Sequence, residues 1–175
     1  ACAGREVSGK TMGLIGYGAI ARETAQRAAA LGMNISAYDP FLQNDDPVWT
    51  TAHRKTLTEV LQTSDVISLH VPLTDDTRHL INKESLSQMK SGAVLINAAR
   101  GGVVDEAALA ASLENGQIAG AALDVFETEP LSKDSAAKFL GLNNLILTPH
   151  IAGVTEESNI RVSSMIADCV LDTLG

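Results

Sequence analysis

An apolar run, Thr11-Met12-Gly13-Leu14-Ile15, passes directly into Gly16-Tyr17-Gly18-Ala19-Ile20-Ala21 and then into an alanine-rich stretch. The run predicts a buried strand bounded by glycine. Gly16 to Ala21 spell G-x-G-x-x-A, the dinucleotide-binding spacing with alanine at its third small position. Gly16 permits the tight turn, Gly18 lets the backbone approach a pyrophosphate, and Ala21 lets the next helix lie close on the sheet. The N-terminus of that helix, with free N–H groups and a positive dipole end, would face the phosphates. Ala21, Ala25, Ala28 and Gly32 fall on one face at helical spacing, and Gly32 is expected to end the helix.

Asn34 to Tyr38 reads as a second strand, and Asp39 follows Gly18 by 39 − 18 = 21 residues. An acid is expected there to accept hydrogen bonds from the adenosine ribose. Its charge repels a 2′-phosphate, so NAD is preferred over NADP. No arginine follows to reverse that preference, because Pro40, Phe41, Leu42 and Gln43 come next. A glycine-rich turn alone also occurs without a ligand; the order strand, turn, helix, strand, acid carries the reading.

The 175 residues suffice for one domain with a proper core. A formal charge of −8, with 13 basic residues that form no stripe, argues against a nucleic-acid partner. No apolar run approaches the roughly 20 residues of a membrane span, and the first residues lack the layout of a signal peptide. A cytoplasmic protein is expected. Cys2 and Cys169 lie at opposite ends without metal-ligand spacing, so no metal and no disulfide framework is expected. Cys169 reads as a small core residue.

Along the rest of the chain, turn residues mark Pro40 to Thr50 as a loop in which Trp49 serves packing. Thr56 and Glu59 stand at capping-box spacing at the start of a short helix. Val66 to Val71 reads as a strand, with His70 at its carboxyl end lining the cleft rather than catalysing. Thr77 to Met89 reads as a helix and Ala93 to Asn97 as a strand. Asp105 and Glu106 open a helix closed by Asn115-Gly116. Next come a strand over Ala119 to Val125, a brief helix over Lys133 to Leu140, a strand at Leu145 to Leu147 and a last helix from about Thr155 to Leu174. That helix presents Val162, Ile166, Cys169 and Val170 as an apolar face. Strands alternating with helices predict an α/β Rossmann fold: a doubly wound parallel sheet in a single domain, residues 1–175.

Ligands bind at the carboxyl edge of such sheets, and the chain delivers Arg100, Glu129 and His150 there. Arg100, between a strand and Gly101-Gly102, fits a bidentate carboxylate contact better than a structural ion pair. Beside a nicotinamide, His150 would take the proton that hydride transfer from an alcohol leaves behind. Glu129 on the other ring nitrogen would orient the imidazole and stabilise its charged form. Arg100 would hold the substrate carboxylate and polarise the carbonyl.

The motifs Gly16-Tyr17-Gly18-Ala19-Ile20-Ala21, Leu69-His70-Val71-Pro72-Leu73-Thr74, Asn97-Ala98-Ala99-Arg100-Gly101-Gly102-Val103-Val104-Asp105, Asp124-Val125-Phe126-Glu127-Thr128-Glu129-Pro130 and Thr148-Pro149-His150 occur in order. Nearly the whole chain thereby resembles the cofactor domain of the D-2-hydroxyacid dehydrogenase family, which includes phosphoglycerate dehydrogenases and hydroxypyruvate or glyoxylate reductases. The resemblance implies that Arg100 binds substrate, that Glu129 and His150 form an acid–base dyad, and that Asp124 contacts the nicotinamide amide. Cofactor contacts are expected from Gly16, Tyr17, Gly18, Ala19, Ile20, Asp39, Val71, Pro72, Thr77, Ala98 and Asp124. It further implies NAD-linked interconversion of a D-2-hydroxy acid and its 2-oxo acid, and a homodimer built through this domain. In the family a second domain, formed by both chain ends, closes over the cofactor; it is expected outside these residues. A corepressor-like module that senses NADH without turnover is the alternative that the same motifs allow.

Overall fold

The computed structural model describes residues 4–175; Cys2 lies outside the described residues. Strand β1 (Thr11–Ile15) sits mid-sheet, between β2 (Asn34–Tyr38) and β4 (Val66–Leu69). Beyond β2 lies β3 (His53–Arg54), and beyond β4 come β5 (Val94–Asn97), β6 (Gly120–Leu123) and β7 (Leu145–Leu147). The order β3-β2-β1-β4-β5-β6-β7 is parallel throughout, as strands alternating with crossovers require. The direction of winding reverses between β1 and β4, and that reversal opens a crevice at the carboxyl edge.

The register places the functional loops. Ile15 pairs with Tyr38 and with Leu69, Leu69 with Asn97, Asn97 with Leu123, and Leu123 with Leu147. The next residue of each strand, Gly16, Asp39, His70, Ala98, Asp124 and Thr148, therefore leaves the sheet along one edge.

Two cores flank the sheet because side chains alternate across each strand. On one face helix α1 (Ala19–Ala30) packs Ala21, Ala25 and Ala28 with Leu14, Ile35 and Ala37. The opposite face carries Ile15, Ile67, Leu69 and Leu95 under α2 (Leu57–Thr63), α3 (Lys83–Gln88) and α4 (Glu106–Glu114). Gly13 shows why β1 tolerates a glycine: a Cβ there would run into the side chains of Ser64 and Val60, so its absence lets α2 lie close. Gly32, at φ 81°, turns the chain out of α1 as expected. The capping box of Thr56 and Glu59 is formed in full.

Several boundaries differ from the sequence reading. The stretch expected as a helix from Thr77 to Met89 is helical only over Lys83–Gln88, because Asn82 caps α3 with its side chain. The residues before it form a turn, in which Thr77 N–H donates to Thr74 O and Ile81 bridges Val104. Pro40 to Thr50 is not wholly loop: Pro47–Thr51 is a 3-10 turn that delivers β3, a strand of two residues that pattern reading missed. The brief helix after Lys133 splits into α5 (Lys133–Ala136) and a 3-10 turn over Ala137–Phe139. Helix α6 (Glu156–Leu174) forms, capped by Thr155, but none of its residues is buried. Cys169 is exposed, not a core residue; the apolar face that suggested burial has no covering element among the described residues.

Candidate active site

Gly16 turns the chain at φ 87°, where a Cβ would stand 2.6 Å from the carbonyl oxygen of His70. Gly18 is the N-cap of α1 and offers no capping side chain, and the first turn holds no acid. A Cβ on Gly18 would meet nothing within 4 Å, so the helix N-terminus opens into free space. That space is a cleft of about 360 Å3 lined by Gly18 to Ala21, His70 to Pro72 and Ala98 to Arg100. An uncapped, acid-free helix N-terminus on an open cleft fits a pyrophosphate.

Asp39 stands at the end of β2 with both oxygens oriented by backbone: Oδ2 accepts from Tyr17 N–H at 2.9 Å and Oδ1 from Phe41 N–H at 3.0 Å. A carboxylate oxygen has a second lone pair, so each can still accept from a ribose hydroxyl. Tyr17 itself points inward. Its ring is fully buried and stacks on Trp49 with centroids 5.2 Å apart, and its hydroxyl meets Thr51 Oγ1 at 2.6 Å. Only its backbone remains near the turn. Thr77 braces the loop at the cleft's edge: its hydroxyl donates to Pro72 O at 2.6 Å and accepts from Thr74 N–H at 2.8 Å.

His70 lines the cleft, with Nε2 3.0 Å from Ser68 Oγ. Burial lowers its pKa, so the ring is neutral at neutral pH.

Arg100 is presented by Asn97, which is buried: its side chain donates to Arg100 O at 3.0 Å and accepts from Ala99 N–H at 3.1 Å. The exposed guanidinium donates only to Ala99 O and forms no ion pair among the described residues. It is therefore open to a carboxylate from outside the chain. Gly101 then presses on the next loop, since any Cβ there would collide with Phe126 O.

A second cluster of polar side chains follows β6 and β7. His150 Nδ1 lies 2.7 Å from Glu129 Oε2, and the ring's Nε2 has no partner among the described residues. Glu129 Oε1 accepts from Phe126 N–H at 2.9 Å. The hydrogen bond from His150 first, and that from Phe126 second, hold the Glu129 pKa below the ordinary glutamate value. Asp124 is buried under the His150 loop and accepts from the Thr148 hydroxyl, from Ile151 N–H at 2.9 Å and from Ala152 N–H at 2.9 Å. Burial opposes its charge, but these hydrogen bonds outweigh it and lower its pKa. This clamp holds a loop in which His150 itself adopts φ 55°. Sequence reading placed Asp124 at the cleft; the three bonds to the His150 loop carry no sequence pattern that would have announced them. No group of three or more potential metal ligands occurs among the described residues.

A doubly wound sheet whose cleft opens at the reversal of winding, under an uncapped helix N-terminus, belongs to the dinucleotide-binding Rossmann class. Within that class the chain belongs to the D-isomer-specific 2-hydroxyacid dehydrogenases: the model of that family's NAD-binding domain matches residues 1–152. It is 54% identical over 173 residues to the (S)-sulfolactate dehydrogenase of Chromohalobacter salexigens, covering 98% of this chain and 55% of that protein. It is 46% identical to the hydroxypyruvate reductase of Thermotoga maritima, again over 98% of this chain and 55% of the relative. A D-lactate dehydrogenase from Aquifex aeolicus, solved with NAD and lactic acid, superposes with a TM-score of 0.88 at 38% identity, over 98% of this chain and 55% of that one. The chain thus spans about half the length of the relatives it matches. No helix of the described residues is long and apolar enough to cross a membrane.

Proposed function

We propose that this chain is the NAD-binding domain, residues 1–175, of an enzyme that interconverts a D-2-hydroxy acid and its 2-oxo acid. The observation that carries the proposal is the 2.7 Å contact between His150 and Glu129 on the same sheet edge as the cleft. The fingerprint turn and the N-terminus of α1 would hold the pyrophosphate, and Asp39 the adenosine ribose. When bound, NAD supplies the acceptor for the hydride.

In the oxidation direction the C2–H bond of the hydroxy acid breaks with loss of hydride, and the hydroxyl proton passes to Nε2 of His150. Glu129, on Nδ1, fixes the ring's orientation and stabilises the imidazolium that forms. Arg100 holds the substrate carboxylate and stabilises charge on the C2 oxygen. In reduction the same imidazolium returns the proton. Asp124 belongs to the proposal in two ways: the resemblance gives it a contact with the nicotinamide amide, and its hydrogen bonds hold the His150 loop.

The test is oxidation of NADH by the full-length enzyme, this domain together with the closing domain that the family resemblance implies, with glyoxylate, hydroxypyruvate, pyruvate, sulfopyruvate and phosphohydroxypyruvate, followed by loss of NADH absorbance. Turnover of at least one is expected. NADH binding without turnover of any would favour the sensing module instead. A homodimer, implied by resemblance to the family, and the cytoplasmic location expected from the sequence complete the proposal; light scattering and cell fractionation read them.

A further inference from the structure

A charged cluster that the reaction above does not use lies behind the Glu129 loop. Glu106, the first residue of α4, is only 3% exposed. Its Oε2 accepts from Lys138 Nζ at 2.8 Å and its Oε1 from Glu127 N–H at 2.7 Å. Glu127 answers by accepting from Glu106 N–H at 3.2 Å through Oε1, an oxygen that also lies 3.2 Å from His79 Nε2. Capping does not account for Glu106, because Asp105 already caps α4 through Ala108 N–H at 2.9 Å. Its carboxylate leaves the helix and grips a different loop.

What that loop carries gives the grip its purpose. We propose that Lys138, Glu106 and Glu127 form a positioning clasp that sets Glu129 against His150 and in register with Arg100. The inference rests on the proposed dehydrogenase reading. Glu127 N–H is held by Glu106, and the preceding N–H, of Phe126, holds Glu129 Oε1. The Phe126 carbonyl is seated against Gly101, next to Arg100. The Phe126–Glu127 segment is thus the joint between the substrate-binding guanidinium and the carboxylate of the dyad, and the clasp pins the joint from behind. A displacement of about 1 Å at reacting groups costs up to about a hundredfold in rate. Burial opposes the charge on Lys138, but Glu106, Glu127 and Asp105 outweigh it and raise its pKa. Lys138 therefore keeps its charge at neutral pH and works as a fixed brace.

The experiment compares the full-length wild-type enzyme, closing domain included, with its Lys138→Met, Lys138→Arg and Glu106→Gln variants, using the 2-oxo acid that the wild type reduces. Lys138→Met and Glu106→Gln are expected to lower kcat about tenfold while the NADH dissociation constant, from fluorescence titration, changes less than twofold. The acid limb of the rate profile is expected to move to higher pH, because a slackened Phe126 N–H lowers Glu129's pKa less. Lys138→Arg is expected to restore most of the rate. A wild-type rate and acid limb in both Lys138→Met and Glu106→Gln would overturn the clasp, as would equal losses of turnover and NADH binding. If Lys138→Met does not fold, the isosteric Glu106→Gln decides alone. The imidazole 15N shifts of His150 give a readout without turnover. An inactive wild type would sink the dehydrogenase reading, whereas 15N shifts that both variants leave unchanged would sink the clasp.

Discussion

Nδ1 of His150 meets Oε2 of Glu129 at 2.7 Å although 21 residues separate them in the chain. In the proposed mechanism, replacing either partner removes proton transfer or the group that orients it. Glu129→Gln and His150→Ala are expected to lower kcat by about 10²- to 10⁴-fold with NADH affinity nearly unchanged. Steady-state rates beside a binding titration check this, and wild-type kcat in both would remove the dyad from the mechanism.

The pH dependence comes from the lowered pKa of Glu129, caused first by His150 and then by Phe126 N–H. A carboxylate whose folded-state pKa lies below its unfolded value adds stability above the unfolded value, about 4.3. That stability is lost as pH falls through the folded value. In the proposed mechanism reduction needs Glu129 ionised, so its acid limb is expected below the ordinary glutamate range. A limb at or above that range would show that Glu129 is not the group being titrated.

Asp124 offers a separate test of the loop that carries His150. Its two oxygens accept from Thr148, Ile151 and Ala152. Asparagine keeps the shape but turns one acceptor into a donor, leaving a buried N–H or hydroxyl facing it. Asp124→Asn is expected to destabilise the protein by about 1–3 kcal/mol, read from the urea midpoint. The same change is expected to lower kcat about 10- to 100-fold as the loop shifts. Full stability and full rate together would show that the clamp is idle.

The sequence spoke clearly where the physics is local and poorly where it is not. The Gly16 to Ala21 turn, Asp39 and the strands β1, β2, β5 and β7 were legible because glycine chemistry and apolar runs dictate them. Strand β3 was not, since two exposed residues, His53 and Arg54, carry no period. The α3 region misled because Leu80, Ile81, Leu86 and Met89 mimic a helical stripe, whereas Asn82 prefers to cap. Asp105 and Glu106 looked alike as acids at a helix start. One caps α4 and the other reaches across to Glu127, a partner 21 residues away that spacing does not reveal. Cys169 and its neighbours on α6 have helical periodicity, which predicts that a face is apolar but not what covers it.

The two glycines of the fingerprint should fail in different ways. Gly16 sits at φ 87°, and a Cβ there would lie 2.6 Å from His70 O. Gly16→Ala is therefore expected to destabilise the fold by about 1–2 kcal/mol from the backbone alone, with the collision added. Gly18 has an ordinary φ of −73° and free space around its missing Cβ. Gly18→Ala is expected to leave the melting temperature unchanged and to weaken NADH binding at least tenfold, because the new methyl group occupies the approach to the helix N-terminus. Thermal melts and NADH titrations on both variants check the contrast. Intact NADH binding in a folded Gly18→Ala protein would remove the pyrophosphate from this turn.

Asp39 has two functions that substitution can separate. In the proposed binding mode its charge excludes a 2′-phosphate, and its oxygens hold the N–H groups of Tyr17 and Phe41. Asp39→Ala loses both, so NADH use is expected to fall about tenfold while the ratio of kcat/KM for NADH over NADPH falls at least tenfold, about 1.4 kcal/mol. Asp39→Asn removes the charge but keeps one acceptor for the fingerprint backbone. It is expected to relax discrimination against NADPH with a smaller loss of NADH turnover. Measuring kcat/KM with both cofactors for the two variants distinguishes repulsion from turn geometry. If discrimination survives in Asp39→Asn and Asp39→Ala alike, the preference for NAD resides elsewhere in the cleft.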